Sequence, residues 1–467
     1  MTCIISAPSS SSGKTLLSLV LASWVQSQKK SIQTFKVGPD YLDPQQLSLI
    51  TKRPCRNLDV VLSGSEWVKN NFQKFTQSAE LALIEGAMGL FDGVGSSEDG
   101  STADIARLLK LPIVLIVNSR GQAASLGALV KGFIEQDKQL KIAGVVLNNV
   151  NSTRHEVLLR EVLERINVNI LGCLPTSPYL HLKSKNLGLA PAHEIQSIEE
   201  KMNQWTDVAS RYLNLEHFEK LLRTNSPVIV ANKTLLFAQK KPRKEKSIPI
   251  AIAQDKAFHF CYPDLEESLE SLGIEVIQWR ITKDEPIPEE VKGIIIPGGF
   301  PELHAEEISQ SQKSLNSIRR FFGTRPIYAE CGGMLILGNS IQDENNKTHL
   351  MAGILPFSAK QGALEVGYRK LKSTKNSLLL GSNQSLTGHE FHRWSLHKIN
   401  EPNISANNNI KALGEKLSPP WQSKGWYSNY KDEGWSNNIF HASWVHLHWP
   451  STETVLTSWL NAVKAVK

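Results

Sequence analysis

TCIISAPSSSSGKT, residues 2–15, runs from a short apolar strand through a loop of small side chains into Gly13-Lys14-Thr15, and Leu16 to Gln26 then reads as a helix. A strand feeding a small-residue loop and a helix is the setting of a phosphate-binding loop. Backbone N–H groups and the helix dipole cradle phosphates, Lys14 adds a point charge, and the Thr15 hydroxyl can hold a divalent cation. Ser12, Gly13, Lys14 and Thr15 are therefore the expected nucleotide contacts. The first glycine of the usual pattern is missing, with Ala7 and Pro8 in its place, but four serines keep the loop small. A merely flexible Ser-rich terminus would lack the flanking strand and helix.

Outward from this frame the same unit repeats. Ser31 to Phe35 is a strand ending in Lys36-Val-Gly-Pro-Asp40-Tyr41-Leu42-Asp43-Pro44, so charged and aromatic groups crowd a strand's C-terminal end, where parallel sheets bind ligands. Leu81-Ala-Leu-Ile carries Glu85 to a third strand end, from which a carboxylate can hold a metal ion beside phosphates. Asp92, before Gly93, reads equally as a metal or nucleotide contact and as a turn residue. Strands Ile113–Asn118 and Ala143–Asn148 follow, with a helix near Ala123–Gln136 between them. Asn148 and Asn149 close the latter strand, either as base-reading groups or as an Asx turn. Strand and helix alternate to about residue 200, which predicts a doubly wound, mostly parallel sheet in an α/β domain spanning 1–212.

From 213 to 247 the alternation fades, and Lys240-Lys-Pro-Arg-Lys-Glu-Lys246 marks an exposed linker. A second α/β domain spans 248–467 and opens with strand Ile248–Ala253, helix Leu265–Leu272 and strand Glu275–Trp279. The next strand ends in Pro297-Gly-Gly299, a turn that gathers backbone N–H groups in a small space. Pro326-Ile-Tyr-Ala-Glu-Cys331-Gly332-Gly-Met334 then places a thiol on a sharp strand-to-helix turn, where the positive end of a helix favours the thiolate. This is the layout of a nucleophile elbow with Cys in place of Ser. The N–H of Gly332, with Gly299 from the other turn, would form an oxyanion hole. A buried structural cysteine is the competing reading.

Two histidine clusters follow, Gly388-His-Glu-Phe-His392 and His441-Ala-Ser-Trp-Val-His446-Leu-His448-Trp449. Period-two alternation puts His446 and His448 on one face of a strand, where a histidine near Cys331 could take its proton. A His-x-His metal site is the alternative. Residues 399–438, rich in Asn, Ser, Gly and Trp, read as a surface insertion.

The chain of 467 residues is 41% hydrophobic and 21% charged, ordinary for globular domains. Its net charge of +7 would suit nucleic acid or small polyanions. The basic residues are dispersed, however, and no aromatic-plus-basic RNA signature or zinc-finger spacing occurs, so small polyanionic ligands are favoured over nucleic acid. Five scattered cysteines without a C-x-x-C pair point to a reducing compartment. No apolar run approaches the ~20 residues of a membrane span. A cytoplasmic enzyme with no membrane partner is the expectation.

The segments APSSSSGKT, FKVGPDYLDP with Asn57-Leu-Asp59, IEGAMGLFDG and STADIARLL in the first domain resemble the cobyrinic acid a,c-diamide synthase and cobyric acid synthase family of corrinoid biosynthesis. So do AIAQDKAFHF, IIIPGGFPELH, AECGGMLILG, GHEFH and ASWVHLHW in the second, and dethiobiotin synthetase is a more distant member. The resemblance covers nearly the whole chain. It implies a P-loop, dethiobiotin synthetase-like domain joined to a class I glutamine amidotransferase-like domain, both α/β. It also implies Cys331 as the glutaminase nucleophile and His446 as the histidine that activates it. Lys14 and Thr15 match the nucleotide and Mg²⁺ loop, and Asp40, Glu85 and Asp92 the acidic Mg²⁺ set. Tyr41 and Leu42 fall where the family meets its corrinoid.

The implied reaction is ATP-dependent amidation of the a and c carboxylates of cobyrinic acid. Ammonia comes from L-glutamine at Cys331 and is used on a phosphorylated carboxylate. The implied ligands are ATP, L-glutamine, Mg²⁺ and a corrinoid polycarboxylate, and a homodimer stays open. This sequence departs from the wider pattern at two places. Class I amidotransferases carry Glu two residues after the catalytic histidine, where this chain has His448, so another group must orient the imidazole. Gln45-Gln46 follows Pro44 where relatives often have an aromatic-His pair. Rival readings are amidation of another tetrapyrrole acid (hydrogenobyrinic acid, nickel-sirohydrochlorin, or cobyric acid synthase chemistry) and a ParA/MinD-like ATPase switch with a non-catalytic second domain.

Overall fold

The computed structural model describes residues 2–177, 197–224, 247–399 and 416–466, with scattered residues between 180 and 195. The chain divides into two compact units, Met1–Lys233 and Thr234–Lys467.

The first unit is built on strands β1 (Cys3–Ser6), β2 (Ile32–Val37), β3 (Arg56–Leu58), β4 (Leu81–Glu85), β5 (Ile113–Asn118), β6 (Ile142–Val150) and β7 (Ile170–Pro175). They form a seven-stranded sheet in the order β3-β2-β4-β1-β5-β6-β7, parallel throughout. The central strands β1, β4 and β5 are near-continuous apolar runs because both faces are covered. Alternate residues serve alternate faces: Cys3 and Ile5 enter one core, Ile4 the other. In β5, Val114 and Ile116 are divided from Leu115 and Val117 in the same way. Helix α1 (Lys14–Ser27) follows β1, and α2 (Leu42–Thr51) follows β2. The parallel register brings Lys36 level with Glu85, and Glu85 level with Ile5, so the chemistry-bearing ends of β1, β2 and β4 lie side by side.

The expected linker begins later than 213. Asn214 accepts a hydrogen bond from the His217 N–H and caps helix Leu215–Leu222. Phe218, Leu221 and Leu222 of that helix, at helical spacing, enter the first unit's core. The basic run Lys240–Lys246 lies outside the described residues.

The second unit has β8 (Ile248–Ala253), β9 (Ile274–Trp279), β10 (Ile294–Ile296), β11 (Ile327–Glu330), β12 (Trp435–Ser436) and β13 (Phe440–Ser443). These make a six-stranded sheet in the order β9-β8-β10-β11-β13-β12, parallel except for the edge pair β12–β13. Ala251 and Ala253 face one core, Ile250 and Ile252 the other. A long antiparallel pair, Phe357–Ser373 with Ser385–Lys398, belongs to a separate sheet. The segment read as a surface insertion joins it: Trp421–Lys424 pairs with Phe357–Ser373 and with Lys431–Glu433. Trp421 is fully buried and Trp435 packs against the core, whereas Trp426 is exposed, so two of the segment's three tryptophans are strand residues that serve a core. Residues 400–415 lie outside the described residues.

Candidate functional site

In the second unit the site grows from the end of β11. Strand alternation sends Ile327 and Ala329 to one core and Tyr328 to the other, which places Glu330 on the side of Tyr328. Cys331 follows with φ 48° and ψ −113°, a left-handed backbone that costs a non-glycine residue energy and marks functional elbows. Its N–H is tied to the Ser443 carbonyl at 2.8 Å. A Cβ on Gly333 would overlap the Ile296 carbonyl, and one on Gly332 would come within 3.0 Å of the Gly299 amide nitrogen. The elbow thus presses directly on the Pro297-Gly-Gly turn, and only glycine fits. The helix behind the thiol is a single turn, Gly332–Leu335, too short for the expected dipole to matter much.

The charge that faces the thiol belongs to His446 instead. This ring is 1% exposed, hydrogen-bonded to Cys331 on one side and 3.1 Å by Nδ1 from Glu330 Oε1 on the other. Burial alone would lower its pKa, but the Glu330 carboxylate and then Cys331 outweigh burial and push it up to about 10. A charged imidazole beside a cysteine is the arrangement of a thiolate–imidazolium pair. Phe391 of the antiparallel pair brings its carbonyl to 3.7 Å from Cys331 Sγ.

Strand β13 stops at Ser443, but Val445, Leu447 and Trp449 still enter one core at a period of two, and His446 and His448, which alternate with them, find different partners. His448 turns to Ser451 Oγ at 2.8 Å and packs against the Tyr262 ring. Three other imidazoles of this unit, His389, His441 and His448, are each pushed down to about 3, chiefly by burial. His441 lies between the rings of Tyr328 and Trp421. Neither of its ring nitrogens has a hydrogen-bond partner among the described residues.

The turn of Gly298 yields a first prediction. A Cβ there would sit 2.5 Å from His446 Cε1, so Gly298→Ala must push the imidazole off its line to Cys331. Glutamine hydrolysis is expected to fall by about 10²-fold, measured as glutamate release. Wild-type rates in this variant would contradict the placement of His446.

In the first unit, Ser11 and Gly13 adopt φ of 61° and 115°, which curls the serine loop. A Cβ at Gly13 would strike Asn148 Nδ2, and that amide donates to the Ser12 carbonyl at 2.9 Å. Asn148 thus braces the loop, while Asn149 pairs with Asn118 at 3.0 Å. Lys14 Nζ donates to the Ser9 and Met88 carbonyls. Burial first, and then the Lys36 ammonium, push it down to about 8.

Thr15 Oγ1 donates to Glu85 Oε1 at 2.6 Å and reaches Asp43 Oδ2 at 3.4 Å. Lys36 Nζ sits among these groups, 2.6 Å from Asp43, 2.9 Å from Glu85 and 3.9 Å from Asp40. Burial would discharge Lys36, yet Asp43 and Glu85 hold it firmly protonated. Burial and then the Asp43 charge push Asp40 up to about 7. Asp40 Oδ1 caps the start of α2 through the Leu42 and Asp43 N–H groups. Tyr41 and Leu42 are 8% and 5% exposed in that turn. Asp92 accepts from the Gly89 N–H at 2.7 Å, so the turn role is the one the geometry displays.

Among the described residues no three His, Cys, Asp or Glu side chains form a ready-made metal cage. The donors around Thr15 nevertheless suit a hard divalent cation shared with phosphates, which needs only one or two carboxylates and a hydroxyl. Glu85 Oε2 is buried with no hydrogen-bond partner among the described residues. Lys36, Asp43 and Glu330 were not among the expected site residues. Their signals were present: a lysine and a glutamate near the ends of buried strands, and a second aspartate in the turn after β2. Among the described residues no helix is long and apolar enough to cross a membrane.

Residues 249–454 match the family model of the CobB/CobQ-like glutamine amidotransferase domain, and residues 56–184 match that of an AAA domain. A cobyrinate a,c-diamide synthase of Synechococcus sp. is 36% identical over 468 residues, covering 99% of this chain and 98% of its own length. The enzyme of that name from Synechocystis sp. is 35% identical, with 97% and 91% covered. A hydrogenobyrinate a,c-diamide synthase of Streptomyces coelicolor is 32% identical, with 96% and 94% covered.

Proposed function

From the premise that this chain belongs to the cobyrinate a,c-diamide synthase family, we propose that its two units divide one reaction between a thiol that frees ammonia and a phosphate loop that activates the acceptor. The chain is an ATP-dependent, glutamine-hydrolysing ligase of cobalamin biosynthesis. The observation that carries the division of labour is the pairing of a strained, buried Cys331 with a charged His446, in a chain that also folds Lys14 and Thr15 into a phosphate loop.

At the thiol, Cys331 Sγ attacks the glutamine carboxamide carbon. The oxyanion is met by backbone N–H groups of Gly299 and Gly332, and His446 gives its proton to the departing ammonia. Water then cleaves the thioester, with His446 as base, to release glutamate. In the other unit Ser12, Gly13, Lys14 and Thr15 hold ATP, and a substrate carboxylate attacks the γ-phosphorus to give an acyl phosphate and ADP. Ammonia displaces phosphate from that acyl group and leaves the amide. A carboxylate is a poor acyl acceptor for ammonia until its oxygen becomes a phosphate leaving group.

The P-loop unit uses its nucleotide with a divalent metal, which we take to be Mg²⁺. Thr15 and Glu85, with Asp40, Asp92 and the newly placed Asp43, are the residues that would hold it. When bound it would neutralise phosphate charge during transfer. Lys36 orients Asp43 and Glu85. Tyr41 and Leu42, at the head of α2, would meet the corrinoid polycarboxylate, a reading supported by the family resemblance. ATP and glutamine supply, together with five free cysteines, fit a cytoplasmic setting.

Cobyrinate is the preferred acid. Hydrogenobyrinate is a second reading, favoured by the Streptomyces relative. Incubation with amide-labelled ¹⁵N-glutamine, ATP and each acid in turn decides by product mass. Cobyrinate that gains label at both the a and c positions is the expected product. ATP-dependent glutamine turnover with neither acid amidated would overturn the substrate assignment.

A further inference from the structure

We propose that Glu330, the residue immediately before the nucleophile, is the positioning residue that orients His446 and balances its charge, a role resting on the glutaminase reading above. The place two residues after the histidine cannot serve, because His448 is bound to Ser451 and Tyr262 and is held neutral by burial. Glu330 reaches His446 from the other direction. One oxygen, Oε1, lies 3.1 Å from His446 Nδ1, and the other, Oε2, accepts the Tyr328 hydroxyl at 2.5 Å.

The arrangement follows from strand geometry. Tyr328 and Glu330 are two residues apart on β11, so their side chains share a face. Tyr328 is itself fixed, stacked on His441 at 5.3 Å between ring centroids and set edge-on to Trp449. The strand that presents the nucleophile therefore also presents its histidine's partner, and a rigid buried phenol holds that partner in place. The carboxylate fixes the tautomer with the proton on Nδ1 and leaves Nε2 for the thiol, the division of labour of a Cys-His-acid triad.

The other titratable groups facing this pair are few. Cys331 comes from the elbow, and His389 from strand Ser385–Lys398, neutral because it is pushed down to about 3. Cys261 lies beside Glu330, and burial pushes its thiol above the ordinary range. Apart from Cys331 itself, which adds to the Glu330 effect on His446, none of them supplies a negative counter-charge near neutral pH.

The test uses the full-length chain. Glu330→Gln keeps the shape and removes the charge. It is expected to lower kcat/KM for glutamine hydrolysis by on the order of 10²–10⁴-fold while ammonia-dependent synthesis persists. In ¹³Cε1-histidine NMR, with the His446 signal identified from a His446→Asn sample, the deprotonation midpoint is expected to fall by about one pH unit or more. Tyr328→Phe retains the charge but frees the carboxylate. It is expected to lower kcat about tenfold with KM for glutamine unchanged, which keeps the proposal testable should the first variant fail to fold. Wild-type hydrolysis and an unmoved His446 midpoint in Glu330→Gln, or unchanged kcat in Tyr328→Phe, overturn it. If Cys331→Ala also hydrolyses glutamine normally, the glutaminase reading itself has failed rather than the role of Glu330.

Discussion

Cys331→Ala is expected to reduce glutamine-dependent amidation by at least about 10³-fold and to leave amidation from ammonium salts near the wild-type rate. The Cys331 thiol is the nucleophile of the proposed glutaminase, with a left-handed backbone at φ 48° and a hydrogen bond to His446. The elbow and the phosphate loop belong to different compact units. Alanine removes the nucleophile without filling space, so the strand and the Gly-Gly contact behind it stay intact. The measurement is amide formation with glutamine or with ammonium chloride as nitrogen source, at a pH where free ammonia is plentiful. Equal loss with both sources would refute two separable chemistries.

Lys14→Ala should fail with either nitrogen source, by on the order of 10²–10³-fold, while ATP-independent glutamine hydrolysis continues. Lys14 is the one ammonium of the serine loop, and backbone carbonyls of Ser9 and Met88 hold it there. Its pKa of about 8 follows from burial and from Lys36, so an arriving triphosphate restores full charge and gains from doing so. Lys36 cannot stand in, because Asp43 and Glu85 already bind it. Full synthetic activity in Lys14→Ala would end the phosphate-loop assignment.

Much of this architecture can be read from local signals. Apolar runs ending in Gly13-Lys14-Thr15, in Glu85 and in Cys331 define strand ends, and parallel sheets gather strand ends into sites. The partners of these groups are harder to read because they come from the third dimension. Lys36 meets Glu85 through strand register, and His446 meets Cys331 only after the chain has left β13. A shared period also does not imply a shared partner. The pairing of β13 with β11 ends at Ser443, and beyond it His446 meets Glu330 while His448 meets Ser451. Tryptophan-rich loops are a similar trap, since Trp421 is turned inward with its indole N–H on Glu433.

The three imidazoles that burial keeps neutral make the ammonia-producing unit sensitive to acid. Each has its pKa pushed from 6.5 down to about 3, so below pH 6.5 the unfolded chain binds protons that the native unit refuses. Stability is therefore lost as pH falls through that range, by on the order of 1 kcal/mol per pH unit for each ring. His446 runs the opposite way: its contribution is complete below 6.5 and fades as pH rises toward 10. Souring the medium would loosen this half of the molecule throughout its core, whereas alkali would undo only the ion pair at its centre.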